Sequence, residues 1–93
     1  MNLDKHEVKD AIRAKIIELA KALDMDASGI AELDIIPATG YLDSTAVLEL
    51  VVWYEKKYGL ELAQEDINID NLGSIESMAN FLLARKGALP AHR

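Results

Sequence analysis

Val8, Ile12, Ile16, Leu19 and Leu23 recur every three or four positions, so they line one face of a helix, while Lys5, Lys9, Arg13 and Lys21 fall mostly elsewhere. A helix is expected from near Lys5 to near Leu23. Its start is marked by Asp4 and Glu7, spaced as a D-x-x-E capping box, with Leu3 and Val8 placed as a hydrophobic staple. Over residues 24–43 the period is lost, and Gly29, Pro37 and Gly40 punctuate a stretch of scattered acids that reads as one long loop. Loops of that length are uncommon in compact domains. Ile30, Leu33, Ile35, Ile36 and Leu42 are expected to anchor this one to the core and keep it ordered.

Asp43 supplies the next N-cap, its carboxylate able to accept from the N–H of Thr45 or Ala46, and the chain stays helix-compatible to Tyr58. Gly59 ends this second helix in a left-handed conformation, and Lys56 and Lys57 in the last turn suit the carbonyl end of its dipole. Val47, Leu50, Val51, Tyr54 and Tyr58 form its core stripe, yet Leu48, Val52 and Trp53 are apolar and lie outside that stripe. One helix of so small a domain is not buried all round. An exposed apolar strip rimmed by Glu49 and Glu55 is therefore expected, of the kind that marks partner contacts.

The run Gln64 to Ile67 allows about one helical turn before Asn71 and Gly73. Ser74 then caps a last helix with Ile75, Met78, Ala79 and Leu82 on its buried face and Gly87 as its stop. The expected fold is all-α: a small four-helix bundle of three main helices and one short one, with a long loop between the first two main helices. Residues 1–87 make the domain and 88–93 a flexible tail.

Composition narrows the class. Ninety-three residues with 51% apolar content support one core, and thirteen Leu and thirteen Ala against five aromatics favour helix over a β-sandwich. No apolar run reaches the length of a membrane span and the first helix carries charges throughout, so a cytoplasmic protein is expected. With no Cys, and with His6 and His92 at opposite ends, neither a disulfide framework nor a metal site is indicated. Glu65, Asp66 and Asp70 lack the Gly and the terminal Glu of a calcium loop and read as a solvated acidic face. Residues 24–77 carry net charge −10, flanked by segments of +1 and +3. An acidic middle and a pI near 4.7 argue against nucleic acid and for partners that present basic patches.

Ser44 follows the cap Asp43 in the first turn of the helix that bears the apolar strip. A phosphate ester on its hydroxyl would sit beside unpaired N–H groups at the positive end of the helix dipole. Read without its context, a D-S dipeptide is a good first-turn sequence and nothing more.

The surroundings give it weight: Gly40-Tyr41-Leu42-Asp43-Ser44-Thr45, with the helix running on to Tyr58-Gly59-Leu60, resembles the core of the acyl carrier protein family. The resemblance extends along nearly the whole chain, from the first helix through the long loop to Leu72-Gly73-Ser74 and the last helix. It implies that Ser44 carries 4′-phosphopantetheine, installed from coenzyme A by a phosphopantetheinyl transferase that also contacts Asp43, and that the arm's thiol holds an acyl or aminoacyl group as a thioester. Thr45, Leu48, Glu49, Val52 and Trp53 are then the partner face. The implied partners are the transferase, an adenylating ligase or acyltransferase, and downstream acyl- or aminoacyl-accepting enzymes, served by a monomeric, noncatalytic carrier.

The chain departs from the fatty-acid pattern, in which Leu-Asp follows the serine and the second helix carries more acids: here Thr45 and Ala46 follow, and Lys56 and Lys57 stand where acids would. Gly40, four residues before the serine, is closer to D-alanyl and freestanding peptidyl carriers. An amino acid or small acyl group is the expected cargo, and a fatty-acid or polyketide carrier is the alternative. From another class, an acidic helical adaptor would use Leu48 and Val52 to bind a partner with Ser44 unmodified. A hydrolase using Ser44 lacks a neighbouring His.

Overall fold

The computed structural model describes residues 4–86. Leu3 of the expected staple, the expected stop Gly87 and the tail 88–93 lie outside the described residues. Within them the chain is all helical: α1 (Lys5–Ala22), α2 (Ile36–Thr39), α3 (Ser44–Tyr58), a 3₁₀ turn (Gln64–Asp66), α4 (Ile69–Leu72) and α5 (Ile75–Arg85). Three long helices form the bundle, with α1 packed against both α5 and α3. The short elements exceed the single turn read from the sequence. One of them, α2, lies inside the long loop, where Pro37 in its first turn and Gly40 at φ 82° bracket four residues too short to show a period.

Asp4 caps α1, but its carboxylate accepts from the His6 N–H at 2.9 Å, not from the third helical residue as a capping box requires. The D-x-x-E spacing is thus realised as a simple cap. The buried stripe is Val8, Ile12, Ile16 and Ala20, each four residues from the last. Leu19 is only half-buried, and Leu23 is 40% exposed because the helix has ended beneath it: its N–H closes back on Ala20 and Lys21, and Asp24 turns at φ 60°.

The long loop is ordered by a division of labour among its residues. Ala27, Ile30, Ile36 and Leu42 enter the core, whereas Leu33 and Ile35, both expected as anchors, are 76% and 38% exposed. Polar contacts hold what the apolar ones do not. Arg13 donates to the Ile30 carbonyl, the Ile36 N–H to Gly73 O at 2.7 Å, and the Glu76 N–H to Glu32 O at 3.0 Å. Lys9 reaches Glu32 and Glu76, both at 2.8 Å, while Lys5 reaches Glu76 at 2.8 Å, so α1, the loop and α5 share one ionic clamp. Gly73 is required by this corner, since a Cβ there would lie 2.4 Å from the Ile69 carbonyl oxygen.

Local signals in the rest of the chain act as the sequence suggests. Asp43 caps α3 through the Ala46 N–H at 2.8 Å, Gly59 closes it at φ 64°, and Ser74 caps α5 through the Ser77 N–H at 3.0 Å. The helix α5 ends at Arg85 with Lys86 as its cap. On α3 the core residues are Ala46, Leu50, Val51 and Tyr54, with Val47 and Tyr58 half-buried where full burial was expected. Among the described residues, no helix is long and apolar enough to cross a membrane.

Candidate functional site

The segment before α3 is pinned at two points. Leu42 is buried two residues before Ser44, and Ala46 is buried two residues after it, which fixes the backbone and leaves Asp43, Ser44 and Thr45 facing solvent. Upstream, Thr39 Oγ1 donates to the Ile36 carbonyl at 2.7 Å and accepts from the Tyr41 N–H at 3.2 Å, so α2 and the turn at Gly40 set the approach. Within α3 the Val47 N–H takes the Asp43 carbonyl at 2.9 Å and the Ala46 N–H takes the Asp43 carboxylate. Helix geometry leaves the N–H groups of Ser44 and Thr45 without an intrahelical acceptor. An anion on Ser44 Oγ would meet those donors and the positive end of a fifteen-residue helix.

Beside the serine runs an open groove of about 620 Å³ between α1 and α3. Thr45, Leu48, Glu49, Val52 and Trp53 all line it, so the structure brings the five partner-face residues of the sequence reading into one concave surface. Leu48 is 62% exposed and Val52 is 40% exposed. The opposite wall was not anticipated: Lys15, Glu18 and Leu19 of α1 complete the groove, with Lys56 at its far end. The available signal was Leu19, which falls one residue off the strict four-residue stripe that Ala20 continues.

The acidic middle of the chain does not translate into an acidic groove. Two lysines and two glutamates line it, and Lys15 pairs with Glu18 at 2.9 Å. Several of the acids that set the net charge are engaged elsewhere. Glu76 sits between Lys5 and Lys9, whose hydrogen bonds hold its carboxyl down at about 2, and Lys9 is raised by its bonds to Glu32 and then Glu76. Asp66 accepts from the Ala63 N–H at 3.0 Å and pairs with Arg85 at 3.1 Å, both of which lower it. The expected solvated acidic face is therefore partly tied down. Among the described residues no group of His, Cys, Asp and Glu could hold a metal ion.

Tyr54 occupies the other side of α3. It is fully buried and its hydroxyl donates to the Met78 carbonyl at 2.8 Å, a contact that spans from α3 to α5. Burial drives its phenol well above the ordinary range and raises Tyr58 as well. Tyr54 and Trp53 both meet Tyr58 edge-on, at 5.9 and 6.3 Å between ring centroids. Tyr54 is thus core and Trp53 a half-buried rim residue, as their helical spacing suggests. A second open depression of about 440 Å³ involves Leu33, Ile35 and Tyr41 and ends three residues before Ser44. His6 lies on the first turn of α1, 3.5 Å from Asp10.

Comparison of the chain with protein-family models, with curated proteins and with solved structures finds no match.

Proposed function

We propose that this chain is a noncatalytic carrier in which Ser44 is the attachment point of a 4′-phosphopantetheine arm. The observation that carries the reading is the placement of Ser44. Its hydroxyl is exposed at the first position of a long helix, on backbone fixed by buried neighbours, and the groove begins at the next residue. The site fits a phosphodiester: Asp43 directs its carboxylate to the Ala46 N–H, and the unpaired N–H groups favour negative charge at Ser44.

Modification forms the bond between Ser44 Oγ and phosphorus, breaks the pyrophosphate P–O bond of coenzyme A, releases adenosine bisphosphate and gives up the hydroxyl proton. The bound arm supplies a thiol that holds an acyl or aminoacyl group as a thioester. Asp43 keeps the turn in shape for the phosphopantetheinyl transferase, while Thr45, Leu48, Glu49, Val52 and Trp53 receive the adenylating ligase or acyltransferase that loads the arm and the enzymes that unload it. Tethering raises the effective concentration of the cargo at each docked enzyme. An amino acid or small acyl group is favoured because Tyr54 fills the space between α3 and α5 that a long chain would need.

Intact mass after incubation with coenzyme A and a promiscuous transferase tests the proposal. The wild type gains one phosphopantetheine, and Ser44→Ala gains none while keeping the same helicity, since alanine is a good helix former and the cap residue is untouched. A folded wild-type protein that stays unmodified overturns the carrier reading and favours an adaptor acting through the groove.

A further inference from the structure

We infer that the outer face of α3 is where two copies of this chain pair, α3 lying antiparallel against α3 about a two-fold axis near Val52. The inference goes beyond the carrier reading and needs no arm on Ser44. It departs from the monomer that the family resemblance implies.

The order of residues along α3 is the first argument. Leu48, Glu49, Val52, Trp53 and Lys56 all line the groove, so they share one side of the helix. Glu49 stands three residues before Val52 and Lys56 four residues after it. At about 1.5 Å of rise per residue, opposite charges thus lie at nearly equal distances on either side of Val52. A two-fold axis there sets Glu49 of each copy opposite Lys56 of the other, the self-complementary arrangement that an isologous contact requires. Leu48, Val52 and Trp53 supply the apolar surface between the two ion pairs, and Trp53 is braced edge-on by Tyr58.

Charge is the second. Each copy has net charge −6, so two copies repel one another overall. This face carries no net charge, since two lysines and two glutamates line it. Lys15 and Glu18 pair with each other at 2.9 Å within one copy, whereas Glu49 and Lys56 are exposed and, among the described residues, take part in no salt bridge. The two left over are the two that the axis brings together. The contact spans only the exposed side of one helix, so the dimer is weak and reversible. Leu48, Val52 and Trp53 also form the proposed docking face, and pairing covers them. The dimer therefore withholds that face and the monomer offers it.

Sedimentation equilibrium on the unmodified protein, from about 10 μM to about 1 mM, tests the pairing. The mean mass should rise with concentration toward twice that of one chain. Val52→Asp, at an exposed position, brings two carboxylates together at the axis and should hold the mass at that of one chain, with helicity retained by circular dichroism. Glu49→Lys alone and Lys56→Glu alone should each weaken association by about tenfold or more, because like charges then face one another. Mixed in equal amounts, those two variants should pair with each other, and the double variant carrying both changes should pair with itself as the wild type does. A wild type that keeps the mass of one chain throughout overturns the inference. A dimer that persists in Val52→Asp also overturns it, by placing the contact elsewhere, as does a mixture of the two charge variants that pairs no better than either alone. Since the protein carries no arm in this test, its failure leaves the carrier reading to be decided by intact mass.

Discussion

The two faces of α3 are built from the same kinds of residue and do opposite things. Leu50, Val51 and Tyr54 are buried to 8% exposure or less, while Leu48 and Val52, one or two positions away, stand open at 62% and 40%. What separates them is the company they keep. The inner face meets the buried stripes of α1 and α5, and Tyr54 finds a carbonyl there for its hydroxyl. The outer face meets only the flank of α1 at Leu19, and the space between stays open as a groove. An apolar side chain on a small helical domain thus contributes either to stability or to a binding surface, according to which neighbour the topology gives it.

The largest effect should come from charging the inner face. Val51→Asp places a carboxylate at a buried position, which costs on the order of 4 kcal/mol, a large part of the stability of so small a domain. Loss of cooperative thermal unfolding by circular dichroism checks it. If Val51→Asp folds as well as Val52→Asp, the two faces are not distinct.

Tyr54→Phe is a gentler probe of the same face. It removes the hydrogen bond to Met78 O and keeps the ring, so stability should fall by about 1 kcal/mol. Chemical denaturation reads that difference. The same experiment on Tyr58→Phe, whose ring is half-buried, should show the smaller change.

Acid tests a region remote from both faces. The Glu76 carboxyl is held at about 2 in the folded protein, below its ordinary value of 4.5. A group lowered by folding contributes stability above its unfolded value and loses it as pH falls through the folded value. Stability should therefore decline from about pH 4.5 toward pH 2. Glu76→Gln should flatten that decline, because it removes the titrating partner of Lys5 and Lys9. A wild-type acid profile kept intact in Glu76→Gln would assign the acid sensitivity to other carboxylates.

The smallest change in stability, and the sharpest contrast, belongs to the outer face. Leu48→Asp and Val52→Asp should alter stability by no more than about 0.5 kcal/mol, yet under the proposed carrier function they should slow loading of the arm, since a carboxylate then stands on the proposed docking face. Loading kinetics measured on holo protein decide it. Unchanged rates in both variants would remove this face from enzyme docking.

Local chemistry made much of this legible in advance. Asp43 and Ser74 cap the helices they precede, Gly59 takes the left-handed turn, and the outward placement of Leu48 and Val52 follows from a helix with more apolar residues than one core stripe can use. The exposure of Ser44 at the first position of α3 needed only the cap before it and the helix after it. The errors in the long loop fall where a neighbour distant in sequence decides. Leu33 and Ile35 are as apolar as Ile30 and Ile36 but are left outside, because Arg13, Gly73 and Glu76 hold the loop by its backbone in a register that turns them out.

The sequence by itself determined the three long helices, the residues that cap them and the exposed position of Ser44, because those depend on residues within a turn or two of one another. Tertiary structure alone decided that Leu19, Lys15 and Glu18 join α3 to make a groove, that the groove is electrically balanced on an acidic protein, and that Glu32 and Glu76 are spent on a clamp with Lys5 and Lys9. Helical periodicity reports which face of a helix is apolar. It does not report which other helix lies opposite, and a groove is a property of two helices.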